Sequence, residues 1–320
     1  MTDAFIPHKY CNVTVALQIA KDAEAGTAYK LPLPEGTDLT NNKNYTFFQY
    51  SGGHYGPKHY ETGGTYMEGT LRIPFIPGYV AAGDLYTWIW GRTSEATYFQ
   101  TNWATITRDL GHTKETYTNC KVMGGTIAVD YAGNYVSLDL NVAGIAEPTP
   151  ASVDGDESLF TTRPYRYKET TLETAEGGTY GVPGAVLAGS NVTRNHSLEF
   201  NNMNEAPGDM GTLQNPGSTY PYDLPSSAKA VWTGSFDRIY ANSDIYDAFM
   251  GGEECAYVLT MASVLSDVTC TFTMPRIVYT EDPLNAPDSG IVRESVSFQA
   301  LEKQVGVTVT DACVVAEAAS

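Results

Sequence analysis

The chain has 320 residues, 42% of them hydrophobic, which is long enough for two domains with a sizeable core in each. Charged residues are only 18%, and the net charge is −18. Residues 1–150 carry 10 Lys+Arg against 14 Asp+Glu and residues 151–320 carry 9 against 23, so there is no basic patch to neutralise phosphates and a nucleic-acid binder is excluded.

In chain order, Cys11–Ala20 alternates partly and predicts a strand, and Leu31–Thr40 predicts a Pro/Gly-rich connection. The β-former run Tyr45–Tyr50 predicts a strand, and Ser51–Gly64, without periodicity, a long exposed loop. Met67–Ile76, Tyr98–Arg108, Lys121–Asp130 and Tyr135–Val142 follow as strands, the last two as a hairpin. Pro148–Glu157 has linker composition, which gives a first domain at 1–150, a linker at 151–163 and a second domain at 164–320. In the second domain the Pro/Gly/Asn/Tyr-rich stretch Ala206–Ser227 predicts an extended loop, and Glu281–Gly290 an acidic one. Strands are expected within Asn191–Glu205, at Lys229–Tyr240, Ala256–Met261, Cys270–Tyr279 and Arg293–Leu301, and in VGVTVT from Val305.

One short stretch occurs twice: GDLYTWIWG from Gly83 and SDIYDAFMG from Ser243. Asp84 and Asp244 stand 160 positions apart, half the chain. Leu85, Trp88 and Ile89 recur at helical spacing, as do Ile245, Ala248 and Phe249. Each copy predicts a short helix, with the Asp as N-cap or first-turn residue and Gly91 or Gly251 as the left-handed stop. Strand-type segments flank both copies in the same order, so the chain is expected to be a duplication. The fold class is mainly β: two tandem antiparallel β-sandwich or barrel domains, each with one short flanking α-helix.

Signatures of catalysis are absent: no G-x-S-x-G, P-loop, HExxH or strand-borne GxGxxG. His54 and His59 lack a third ligand in readable spacing, and His8, His112 and His196 lack a nearby nucleophile or carboxylate motif, so neither an enzyme nor a cofactor or metal is expected. The five cysteines are odd in number and none is in CxxC spacing, which predicts free thiols in a reducing cytoplasm. No membrane span or signal peptide is expected.

The second half carries PYRYKETTLE from Pro164, NVTRNHSLEFNN from Asn191, VWTGSFDRIYANSDIYDAFMGG from Val231, TCTFTMPRIVY from Thr269 and GIVRESVSFQALEK from Gly290. These segments, with a weaker counterpart at 66–144, resemble the tail tube proteins of long-tailed (siphovirus-type) bacteriophages in their two-domain fused form. The resemblance implies a structural virion protein, made in the host cytoplasm, whose trimeric rings stack into a tube. It also implies contact with the tape measure, tail terminator and distal tail proteins, and DNA passing through the lumen without specific binding. On this view Asp130, Asp139, Asn141, Ser297 and Gln299 are suggested to face the lumen. Tyr55, His59, Tyr60, Tyr220 and Tyr222 are suggested for loops between rings. The alternative is a β-sandwich ligand- or carbohydrate-binding module, resting on Trp88, Trp90, Trp103, Trp232 and the Tyr-rich loops.

Overall fold

The structure is a computed structural model. It describes residues 12–31, 37–48, 59–76, 85, 88–89, 102–109, 114–130, 135–145, 149–150, 163–176, 185–186, 193–202, 223–224, 231–240, 243–263, 269–281, 284–285, 292–301 and 308–309. The protein is mainly β, and its described strands join one antiparallel hydrogen-bonded network.

The first eight strands are β1 (Asn12–Gln18), β2 (Ala25–Leu31), β3 (Thr37–Phe48), β4 (His59–Pro74), β5 (Trp103–Asp109), β6 (Lys114–Asp130), β7 (Ser137–Gly144) and β8 (Thr149–Pro150). A 3₁₀ turn at Tyr167–Glu169 leads into β9 (Thr170–Glu176), β10 (Ala185–Val186), β11 (Thr193–Asn201) and β12 (Val231–Ile239). Helix α1 (Asp244–Gly251) follows, then β13 (Cys255–Ala262), β14 (Thr269–Glu281), β15 (Leu284–Asn285), β16 (Arg293–Ala300) and β17 (Thr308–Val309).

Strand pairing repeats along the chain. In the first half β2 pairs β1, β1 pairs β5, β5 pairs β6, and β6 pairs β7 and β8; β7 pairs β4, and β4 pairs β3. In the second half β10, β9, β13, β14, β16, β17, β12 and β11 make the same pairings in the same roles. Register repeats too. Cys120 of β6 lies opposite both Ala104 and Gly144, and Ile277 of β14 lies opposite both Cys255 and Ala300. Each of these long strands is bulged on both sides of that residue, at matching steps. Beyond the second bulge Ile127 opposes Leu138 as Leu284 opposes Glu294, so β15 occupies the place of the end of β6. A bulge bends a strand and raises its twist; two at equivalent places carry β6 and β14 from one set of neighbours to the next.

One pairing has no partner in this scheme: β6 pairs β11, with Ile127 opposite Leu198 and Asp130 opposite Asn195. It fuses the halves, giving the continuous order β3–β4–β7–β6–β11–β12–β16–β14. Most buried apolar side chains form one cluster through both halves, in which Phe75 contacts the rings of Tyr165 and Phe272, and a small second cluster holds Trp103, Ala143, Ile145 and Leu224. Helical residues Leu85, Trp88 and Ile89 are buried in the larger cluster, and Trp88 Nε1 donates to the Cys120 carbonyl at 3.4 Å. From the other half, Ile245 and Ala248 of α1 are buried and Phe249 packs against the same cluster.

Several expectations are corrected. Residues 37–40 are strand, because Leu39 is buried opposite Gly69 of β4. His59 to Gly64 belong to β4, not a loop: His59 pairs Phe48 and Tyr60 pairs Phe47, so the β-former run Tyr45–Phe48 recruits them in spite of their Gly content. The acidic loop at 281–290 is interrupted by β15. Helix α1 runs through Gly251, and the left-handed stop is Gly252 at φ 64°, whose N–H closes onto Phe249. Cys120, Cys255 and Cys270 are buried free thiols.

Candidate functional site: a polar sheet face

Along the continuous sheet, side chains alternate between the core and an opposite face. On β6 Ile127 and Val129 are buried while Thr126 and Ala128 are half-buried and Asp130 is exposed. On β7 Leu138, Leu140 and Val142 are buried between Asp139 and Asn141, and on β16 Val296 and Phe298 are buried between Ser295, Ser297 and Gln299. All five residues suggested for a lumen therefore lie on this one face, and the buried residues that alternate with them point into the core.

Cross-strand partners extend the face across the fused sheet. Asn141 lies opposite Thr70 and Asp139 opposite Arg72; Asp130 opposes Asn195, and Thr126 opposes Glu199. Further along, Ser197 meets Ser235, which meets Ser297, and Thr233 meets Gln299. Short polar side chains bond to one another over the surface: Thr70 Oγ1 to Asn141 Oδ1 at 3.1 Å, Ser197 to Ser235 at 2.9 Å, Ser295 Oγ to Asp237 Oδ1 at 2.7 Å, and Asn42 Nδ2 to Glu68 Oε1 at 2.6 Å. The face carries acids on both halves: Asp38, Glu68, Asp130 and Asp139, then Glu199, Asp237 and Glu281. Among the described residues its exposed cations are Arg72 and Arg293. Such a surface repels polyanions and offers Ser, Thr, Asn and Gln as weak, interchangeable contacts.

Beneath β3 the packing is charged and specific. Arg108 Nη1 donates to the Leu39 carbonyl at 2.7 Å, and its Nη2 donates to Glu115 at 2.6 Å. Tyr117 also donates to Glu115, and burial together with that carboxylate pushes its hydroxyl up to about 12. The Tyr117 and Arg108 bonds hold Glu115 below the usual carboxylate range. Lys121 is buried against the Trp103 ring, at 4.1 Å from its centroid, and donates to the Leu224 carbonyl; burial lowers it to about 8. These groups tie strands together.

Tyr60 is exposed on β4, so it can be touched, but from a strand rather than a loop. Tyr55, Tyr220 and Tyr222 lie outside the described residues, as do Trp90, Asp84, Gly91 and most of the 151–163 linker. Trp88, Trp103 and Trp232 are buried and offer no ring on which a sugar could stack. Among the described residues no His/Cys/Asp/Glu group could hold a metal ion, and no helix is long and apolar enough to cross a membrane. Sequence reasoning missed the cross-strand continuation through β4, β11 and β12: Ser197 stands between buried His196 and Leu198, but Thr70 and Ser235 each follow a half-buried glycine, which blurs the alternation. No protein-family model matches the chain, and no curated protein matches it.

Proposed function

We propose that the chain is the major tail tube subunit of a siphovirus-type phage, three copies forming a ring and rings stacking into a DNA-conducting tube. One observation carries this reading: the polar, acid-rich face runs without interruption across the β6–β11 junction, so two repeats present one wall. In the proposed assembly each repeat is a β-sandwich with its own flanking helix, and three two-repeat chains supply six equivalent units. The polar face lines the lumen, with Asp130, Asp139, Asn141, Ser297 and Gln299 among its residues. Net negative charge there keeps DNA moving, because few phosphates find a cation. Tape measure, tail terminator and distal tail proteins are the proposed partners inside and at the ends of the tube. Tyr60 on β4, together with the Tyr55, Tyr220 and Tyr222 segments, is proposed for contact between rings.

Electron microscopy of the purified protein tests the reading. Rings or tubes with threefold chain symmetry and an acidic lumen are expected. Monodisperse globules at high concentration, a basic lumen, or six chains per ring would refute it.

A further inference from the structure

The β6–β11 junction joins the end of the long bulged strand of one repeat to the first strand of the polar sheet of the next. Its two components recur. The second repeat also has a long bulged strand, β14 with β15, and the first repeat also begins its polar sheet with a strand, β3. Among the described residues β3 pairs only with β4, and on the β14–β15 edge Glu281, Leu284 and Asn285 pair only with β16. In the matching positions, β11 pairs both β12 and β6, and β6 pairs both β7 and β11. Each end of the fused sheet thus carries the half of a junction that the other end lacks.

We infer that β14–β15 of one copy pairs antiparallel with β3 of a second copy, in the register of the internal junction. This rests on the ring reading and names the contact that would close the ring. Register follows from equivalence. Leu198 and Leu39 both lie opposite a glycine of the neighbouring strand, Gly234 and Gly69, and both are buried. Ile127 and Leu284 both lie opposite the matching residue of the next strand, Leu138 and Glu294. Since Ile127 opposes Leu198, Leu284 of one copy opposes Leu39 of the next; likewise Asn285 opposes Asp38 and Glu281 opposes Asn42. The pairing continues the polar face, since Asp38 and Asn42 already share it with Thr70 and Glu68. Arg108 on the Leu39 carbonyl does not close the edge, because a carbonyl oxygen has a second lone pair. The contact is heterologous, so repetition closes a ring or grows a filament. It also removes two strand edges that would otherwise template aggregation.

Disulfide trapping in the full-length chain tests this. Directly opposed residues of antiparallel strands have Cα atoms about 4.5–5.5 Å apart, within disulfide reach. The double variant Asp38→Cys/Asn285→Cys, with Cys11→Ser and Cys313→Ser, should give covalently linked oligomers under oxidation that end at three chains. Each single variant should give none, and mixing the two single variants should give linked dimers only. Asp38→Cys/Leu284→Cys should crosslink poorly, since a one-residue slip turns the side chain to the other face. Rings by microscopy without the 38–285 crosslink would overturn this pairing and leave the tube reading standing. A covalent ladder that runs past three chains would uphold the pairing and refute the ring. Neither assembly nor crosslink would overturn the pairing as well.

Discussion

In the first half β4 and β7 meet at Ile73 opposite Leu138; the equivalent cross-strand position of the second half is Arg238 opposite Glu294. Both pairs are buried, and the charged side chains are as inaccessible as the aliphatic ones. Arg238 Nε donates to Glu294 Oε2, while Glu294 Oε1 has no hydrogen-bond partner among the described residues. The same backbone therefore accepts an apolar and an ionic solution at one place. The difference teaches that the fold is set by strand order, bulges and alternation, not by the chemistry of this contact. Desolvating two charges costs several kcal/mol each, so the ionic solution is the weaker source of stability.

The sharpest way to break the comparison is to make the halves alike. Arg238→Ile or Glu294→Leu alone should cost about 3–5 kcal/mol, because each removes one member of a buried ion pair. The double variant, which copies the first half, should be neutral or more stable. Denaturant unfolding of the three variants decides this; a double variant as unstable as the singles would show that the two positions are not equivalent.

His196 separates the halves next. It lies on β11 opposite Val129 and Phe236, and the matching residue of β3 is Thr37. Neither ring nitrogen has a hydrogen-bond partner among the described residues, and burial lowers its pKa to about 4. A base with a depressed folded-state pKa binds its proton more readily when unfolded. Stability is therefore full above pH 6.5 and falls as pH drops towards 4, by about 3 kcal/mol in all. His196→Phe should remove that loss. Melting temperatures between pH 7 and 4 check it through the difference between the two proteins, since shared carboxylates cancel. Parallel curves would defeat the argument.

Glycines at equivalent positions give a finer comparison. A Cβ on Gly69 would overlap the backbone carbonyl of Asp38, whereas one on Gly234 would first meet the Phe298 ring. Backbone cannot swing aside as a ring can. Gly69→Ala should cost about 3 kcal/mol and Gly234→Ala about 1–2 kcal/mol by overpacking. Chemical denaturation measures both; the reverse order would mean that the second core is the stiffer.

Much of this was legible in the sequence where the signal is local. Period-two alternation locates β6, β7, β12, β14 and β16, and the i, i+3, i+4 stripe locates α1 and the buried helical residues Leu85, Trp88 and Ile89. The order of elements around the D-[LI]-Y stretch locates the duplication. Long-range pairing was not legible. Nothing near Leu198 announces that its neighbour is Ile127, since cross-strand contact at that separation leaves no local trace. The strand character of His59–Gly64 was hidden for a related reason: its glycines and polar residues signal a loop, and the partner that overrides them, Tyr45–Phe48, is known only once β3 and β4 are paired. The Arg238–Glu294 pair was hidden because charged residues in an alternating strand are expected outside.

Helix α1 supplies the smallest effect. The sequence offers Asp244 as N-cap or first-turn residue; the N-cap position is Ser243, with no side-chain cap bond, and Ser243 Oγ donates to Asp247 Oδ2 at 2.7 Å. Asp244 stands in the first turn, where a carboxylate meets the positive end of the helix dipole. A true cap bond is worth about 1 kcal/mol and is local. A dipole contact at an accessible terminus is worth about 0.3–1 kcal/mol and is screened by salt. Asp244→Ala should therefore cost roughly 0.5 kcal/mol at low ionic strength and much less in about 1 M salt, where the screening length is about 3 Å. Ser243→Ala should change little, because it removes a bond to a side chain and not to the helix backbone. Thermal melts of both variants at two salt concentrations measure the effect. A loss above about 1 kcal/mol for Asp244→Ala that persists in high salt would make the carboxylate a cap and not a dipole contact.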